Sequence, residues 1–450
     1  MFDRPPIFLS RRTASCFAVA VLGLVYLWFW IVAAHRVHGA PYTGFASVFA
    51  TGCGDFEHFY FAARAMREGG DPYDSGVRGY IYPPLIAFLF MPLTLMSVQA
   101  AATLMLVVNL AMALLCTVIV SREVIRRLEI EGSFDTLIAV VALTALLSAT
   151  RLRGELQMWQ TNVPMMAAVL LALRWLDSRP WLAGVLLGLA FNIKYLPLVF
   201  LPYLLVRRRF ESAAWFLVGI VGFALLPALY SGWGVNLHHW AEAASGLAGL
   251  LGVATSTLQR ANVDPITIGH SISITSGFAR VLGAGAAAAT WLASAAVALA
   301  SALVFWAIYR QMKMPVLAWP RATAQQSQPY LGMVVIEWVA LLGFALALSP
   351  QTNPRHTSLL LMVFALLAAL LLFPAHGVSR RAAFAALAIL LLGFALPPRT
   401  PEFTEYLAWW GNVGGAGWSM LLMLPFLLVA GFNQLNARGA RHRPPGAPRP

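Results

Sequence analysis

Apolar residues run along this chain in long blocks separated by short polar clusters, at 14–34, 81–97, 99–120, 134–150, 162–176, 181–206, 211–231, 281–309, 330–348, 357–374, 381–397 and 416–434. An α-helix rises ~1.5 Å per residue, so about 20 such residues cross the ~30 Å hydrocarbon core of a bilayer. The pattern predicts an all-α polytopic membrane protein. The first block follows basic residues and exceeds the roughly 7–15-residue core of a cleaved signal peptide, which predicts an uncleaved first helix.

Two blocks are ambiguous, and the distribution of Arg and Lys decides them. If every block crossed once, "SREVIRRLE" (121–129) would lie outside, against the positive-inside bias. If instead "YIYPPLIAFLFMPL" (80–93), broken by Pro83, Pro84 and Pro92, lies along the interface or dips in and returns, then 121–129 falls inside and 151–162 outside. Block 181–206 must then cross twice or not at all to keep Arg207, Arg208 and Arg209 inside. It contains "NIKYLP", with Lys194 and Pro197 in mid-run, and two short helices meeting at Lys194 satisfy the parity. Later loops then agree, with 232–280, 349–356 and 398–415 outside and 310–329 and 375–380 inside. The expectation is about 12 crossings in one transmembrane domain over 1–435. An interfacial helix or hairpin sits in the first external loop (35–97), a second external loop spans 232–280, and 436–450 is a disordered, Pro/Arg-rich cytoplasmic tail.

Composition agrees. Of 450 residues, 60% are hydrophobic and only 11% charged, against about 25% charged in soluble domains. The net charge of +13 sits in short clusters beside apolar blocks, the pattern of membrane anchoring and not of a nucleic-acid groove. Cys16, Cys53 and Cys116 offer neither a disulfide framework nor a CxxC metal motif. No tandem repeat is visible, so a transporter built of inverted halves is not supported.

Five of the chain's 18 acidic residues lie in "GDFEHFYFAARAMREGGDPYD" (54–74). The stretch reads as a short amphipathic helix that stops at Gly-Gly-Asp-Pro, with Phe56, Phe59, Tyr60 and Phe61 holding it at the membrane surface as an aromatic belt. Asp55 stands at its start, where a carboxylate is either an N-cap or a functional group. Side assignment places this stretch on the same face as Gln160, Asn162, Lys194, 232–280 and "SPQTNPRH" (349–356). Lys194 at membrane depth is costly unless it lines a polar cavity, snorkels or forms an ion pair. Glu337, in mid-helix, is expected either to pair with a basic or amide side chain on a neighbouring helix or to remain protonated, in a structural role.

The order of Asp55, "DPY", "YPPL", "QTN" and "AGVLLGLAFNIKYLPLVFLPYLLVRRR" (183–209) resembles glycosyltransferase family 87, polyprenyl-phosphate-sugar-dependent enzymes of the GT-C fold. The resemblance runs from about residue 10 to about 375 and is strongest over 54–93 and 160–209. Two departures stand out: Trp159-Gln160-Thr161-Asn162 where the family has Gly-Gln, and Arg355-His356 where many members have Trp and paired His.

The resemblance implies an inverting transferase that moves a hexose, with mannose favoured, from a polyprenyl-phosphate-sugar donor to a hydroxyl of a lipid or glycan. Asp55 is then the general base. His356 either orients Asp55, binds a sugar hydroxyl or serves as a polar cap. Lys194 and Arg355, with Arg64, Arg260 and Arg280 as weaker candidates, would meet the donor phosphate. Glu57, His58, Tyr82, Gln160, Asn162 and His239 would bind sugar or acceptor, and His238, Trp233 and Trp240 are further candidates for the lipid groove. Glu57 and Asp55, at i and i+2, point to different faces of a helix, so no metal and no other cofactor is expected. The membrane implied is a bacterial inner membrane, with the site facing the periplasm. Two rivals remain open: a polyprenyl-linked glycan ligase or polymerase, suggested by His238, His239, Arg260, His270 and Arg280, and a lipid-linked sugar transporter.

Overall fold

The computed structural model describes residues 55–75, 80–158, 160–251, 264–283, 285–315, 328–350, 352–395 and 404–441, with Ala20 and Leu22–Leu24. The expected first helix otherwise lies outside these residues, as do Cys16, Cys53, Trp159, Arg260 and the tail beyond 441. The described residues form helices, turns and loops, and eight of the helices are long and apolar enough to cross a membrane.

The first helix, α1 (Phe56–Arg67), ends where Gly69 adopts φ +79 and its amide and that of Gly70 donate to Met66 O and Ala65 O. Only glycine takes that backbone without a Cβ penalty. The aromatic belt expected on this helix is instead part of the core, for Phe56 and Phe59 are fully buried and Tyr60 nearly so. The cause is the short helix α2 (Pro84–Phe90) and the 3-10 turn Met91–Leu95, which fold under α1. Phe59 stacks on Tyr82 at 5.0 Å, Tyr60 Oη donates to Met96 O at 2.7 Å, and Arg67 to Thr94 O at 2.8 Å.

From there the chain runs up and down a bundle: α3 (Val98–Arg127), α4 (Phe134–Met158), α5 (Asn162–Trp175), α6 (Pro180–Ile193), α7 (Phe200–Val206) and α8 (Phe210–Leu225). α3 and α5 finish at the same end. There the Arg127 guanidinium, wholly buried, meets Glu123 at 3.2 Å, Asp177 at 3.0 Å and Leu173 O at 2.6 Å. Asp177 also takes Arg209 at 2.6 Å, so the segment 180–206 leaves this end and returns to it. Its helix breaks at Lys194, whose backbone is extended (φ −151, ψ 149), as the sequence predicts.

Loop 232–280 contributes α9 (Trp233–Leu250) and α10 (Ile274–Leu282). The apolar block expected to begin at 281 is divided, because Gly283 at φ +91 ends α10 before α11 (Ala287–Gln311) begins. α12 (Gln328–Leu348), the 3-10 turn Pro354–Leu360 and α13 (Leu361–Leu372) form the centre, with every residue from Leu359 to Leu370 buried. α14 (Gly377–Ala395), α15 (Thr404–Asn412) and α16 (Gly415–Arg441) close the bundle. α16 continues past the expected domain boundary at 435 to Arg441, into the segment expected to be disordered.

The helix that carries Lys194 is held by a backbone crossing. A Cβ on Gly188 would lie 2.5 Å from the Gly219 carbonyl carbon of α8, and Asn192 Nδ2 donates across the same interface to Ile220 O at 3.1 Å. Gly188→Leu is therefore expected to lower thermal stability of the detergent-purified protein by about 1–3 kcal/mol or more. Gly222→Leu, on the same helix as Gly219 but with nothing within 4 Å of its Cβ position, is the matched substitution expected to leave the melting temperature unchanged.

Candidate active site

At the end of the bundle opposite Arg127, three breaks in the helices face the start of α1. Asp55 precedes α1, Gln160 lies between α4 and α5, Lys194 between α6 and the turn Leu196–Val199, and Arg355 after α12. They enclose a cavity of about 340 Å³, also lined by His58, Tyr82, Asn162, Asp264, His270 and His356.

The capping role for Asp55 is not the one observed, since its side chain makes no bond to the helix it precedes. Its Oδ2 instead accepts from Gln160 Nε2 and from Arg355 Nη1. Gln160 Oε1 accepts from Lys194 Nζ at 2.7 Å, so the amide is a bridge between the carboxylate and the ammonium group. Lys194 Nζ also stands 5.0 Å over the Tyr82 ring, a cation–π contact that strengthens as water is excluded. Asn109 Nδ2 fixes the backbone of the bridge by donating to Gln160 O at 3.3 Å. Asp55 and Arg355 remain about a quarter exposed while Lys194 is buried, so a ligand reaches the first two from the cavity mouth.

Glu155 is the residue that sequence reasoning missed. Its carboxylate, wholly buried, accepts from Asn162 N at 3.1 Å and Asn162 Nδ2 at 2.7 Å, capping α5 from the end of α4. It is also near enough to act electrostatically on Lys194. Arg151 and Arg153 make "RLRGELQM" read as a loop, but the helix continues to Met158. The available signal was register: Ser148, Leu152 and Glu155 share one helix face and are all buried, while Arg153 points out.

The other candidates separate. His58 lines the cavity; burial pushes its imidazole below the usual value, opposed by Asp55, and its Nδ1 is buried without a hydrogen-bond partner among the described residues. His356 lines the cavity too, but its Nδ1 accepts from Asn353 N at 3.2 Å, the polar-cap arrangement, which leaves Nε2 as the nitrogen that carries the proton. Glu57 is buried beneath α1 and does not line the cavity. Arg64 is half exposed and paired with Glu68 at 2.9 Å, away from it. His239 is buried beside Tyr73 and likewise outside it, as is Arg280, which donates to Ile268 O, Gly411 O and Asn412 O. Trp240 Nε1 donates to Ala224 O at 3.0 Å, which ties α9 to α8, and Trp233 is exposed. Glu337 lies at the other end of the bundle, held by Arg207, Tyr203 and Tyr309.

A cavity with a carboxylate, two cations and amide groups at one end of an all-helical membrane bundle has the parts of a sugar-transferring enzyme. Comparison agrees: glycosyltransferase family 87 matches residues 80–324, and the chain belongs to it. The match includes Tyr82, Gln160, Asn162 and Lys194 and leaves Asp55 and Arg355 beyond its ends. A polyprenol-phosphate-mannose-dependent alpha-(1-2)-phosphatidylinositol mannoside mannosyltransferase of Mycobacterium tuberculosis is 25% identical over 403 residues, 84% of each chain. The Mycolicibacterium smegmatis protein of the same description is 27% identical over 214 residues, and this alignment covers 42% of the chain and 46% of the relative. A phosphatidylinositol pentamannoside mannosyltransferase of M. tuberculosis is 34% identical over 151 residues, a third of each. The chain thus spans less than half of two of these relatives and most of the other. No solved structure matches significantly.

Replacement of Glu155 tests its role in building the site. Glu155→Ala removes the acceptor for two buried donors and is expected to cost about 1–3 kcal/mol, read as a lowered melting temperature. Glu155→Gln keeps one acceptor oxygen and is expected to lose less. Equal melting temperatures for Glu155→Ala and wild type would remove the capping assignment.

Proposed function

We propose that the chain is an inverting mannosyltransferase that uses a polyprenyl-phosphate-mannose donor and a glycolipid or glycan hydroxyl as acceptor, at the extracytoplasmic face of a bacterial inner membrane. The observation that carries this reading is the Asp55–Gln160–Lys194 chain with Arg355, inside a cavity of a family 87 glycosyltransferase. The mycobacterial relatives supply the donor, as their descriptions name polyprenol-phosphate-mannose, and the acceptor class. The topology that goes with it has about 12 crossings, with α1 and α2 at the outer interface and the Arg127 end in the cytoplasm.

The acceptor oxygen attacks the anomeric carbon as the bond from that carbon to the phosphate oxygen breaks. The electron pair leaves with the polyprenyl phosphate, and the acceptor proton passes to Asp55. A single displacement inverts the anomeric centre. The leaving group gains negative charge, and preorganised cations in a dry cavity stabilise it more than water does. Lys194 is one, held in place by Gln160 and Glu155. Arg355 is the other: an arriving phosphate competes with Asp55 for its guanidinium, and its transfer to the phosphate turns Asp55 Oδ2 toward the acceptor. His58 and Asn162, beside the cavity with polar atoms lacking partners among the described residues, suit sugar hydroxyls. Two side-chain cations already meet the phosphate charge, so the reaction is assigned no metal.

The transporter alternative has less to support it. The charges at the far end, Glu123, Arg127, Asp177, Arg207 and Glu337, are spent on one another and do not continue the cavity as a polar path.

Membranes containing the protein, given labelled polyprenyl-phosphate-mannose, are expected to form a new mannosidic bond. Asp55→Asn should lower kcat about 10²–10⁴-fold while donor binding persists. Lys194→Ala should lower kcat/KM about 10²–10³-fold. Undiminished transfer by Asp55→Asn would exclude it as the base. A separate prediction concerns metals: transfer should survive chelation by EDTA, and abolition restored by a divalent ion would contradict the metal-free assignment.

A further inference from the structure

The second sizeable cavity of the described residues lies at the opposite end of the bundle from the candidate active site. It is a groove of about 420 Å³ between α7, α11 and α12, open at the side. Its lining changes character along its length. At the end where α7 and α11 terminate, Arg207, Glu337, Tyr203 and Tyr309 form a closed polar set, with both tyrosine hydroxyls and the guanidinium donating to the Glu337 carboxylate. Further from that end the walls are apolar, formed by Val199, Ala302, Leu341 and Phe344.

Two observations bear on the chemistry of an occupant. The first is charge. Arg207 is balanced by Glu337, but exposed Arg208, Arg310 and Lys313 stand at the same end, where Arg207 Nη1 donates to Pro315 O at 3.0 Å. Arg310 lies over the ring of Trp306, a groove residue, at 5.3 Å, the pairing of cation and aromatic that sits at the headgroup level of a membrane. The second is exposure: within α11 only Thr290, Ser294, Ile308 and Tyr309 are buried, so the groove opens directly to lipid. A ligand for it is anionic at one end and apolar along the rest.

We propose that this groove binds one anionic phospholipid from the leaflet at the Arg207 end. Its phosphate rests at Arg310 and Lys313, and one acyl chain lies along Leu341 and Phe344. The site is separate from the Asp55 cavity and does not depend on the transferase reading.

Native mass spectrometry of the full chain in mild detergent, with phosphatidylglycerol or phosphatidylcholine of identical acyl chains, tests the proposal. Phosphatidylglycerol should be retained over phosphatidylcholine, and added salt should weaken only the former. The Arg310→Ala, Lys313→Ala double variant should lose about tenfold or more of the phosphatidylglycerol affinity, from the electrostatic contribution of two basic side chains. Ala302→Trp, which fills the apolar half from the lipid-exposed helix, should reduce retention of both lipids. The melting temperature without lipid checks that both variants fold. Equal, salt-insensitive retention of the two lipids by the wild type would overturn the proposal even if neither variant folds. So would wild-type retention by either folded variant, or displacement of phosphatidylglycerol by an equimolar polyprenyl phosphate.

Discussion

A lysine buried in an apolar bundle must be met by acceptors, and the position of Lys194 constrains most of what surrounds the cavity. Its ammonium group is supplied with the Gln160 amide and the face of Tyr82, with the Glu155 carboxylate acting from behind. Each comes from a different stretch of chain. Gln160 requires α4 to end and α5 to begin at one level, Tyr82 requires the segment before α2 to fold inward, and Lys194 itself requires α6 to end at that same level. Breaks of this kind leave backbone groups without helical partners, which lipid does not tolerate and a polar cavity does. The breaks and the polar side chains therefore have one cause.

The two ends of the bundle solve the same electrostatic problem in different ways. At the Arg127 end, the buried charges among the described residues are closed off. Arg127 is shared by Glu123, Asp177 and a backbone carbonyl, and Glu337 is shared by an arginine and two tyrosines. At the Asp55 end the charges are joined through a single amide and remain partly open to the cavity. Closed sets hold helices in register, whereas an open set has capacity left for a ligand. The tight Gly188–Gly219 crossing lies between the two ends.

Much of this arrangement was legible in the sequence, and what was not has identifiable physical reasons. Charge parity along the chain places Asp55, Gln160, Lys194 and Arg355 on one side, and the structure brings these four together. Parity assigns a loop to one side of the membrane. It says nothing about rotation around a helix axis, and the differences arise there. Arg64 and His239 lie on elements near the cavity but face away from it; Phe56 and Phe59 turn inward onto a segment whose folded position no local pattern predicts. Glu155 was hidden for a third reason, because flanking arginines mask the helical register that sets it apart.

The pairing of Asp55 with Arg355 joins residues 300 positions apart. In a chain that is inserted as it is made, at about 5–20 residues per second, the carboxylate waits roughly 15–60 seconds for its arginine to be synthesised. Until then the half-built cavity lacks one of its two cations, so the charge set around Asp55 is completed only when the central helices are in place.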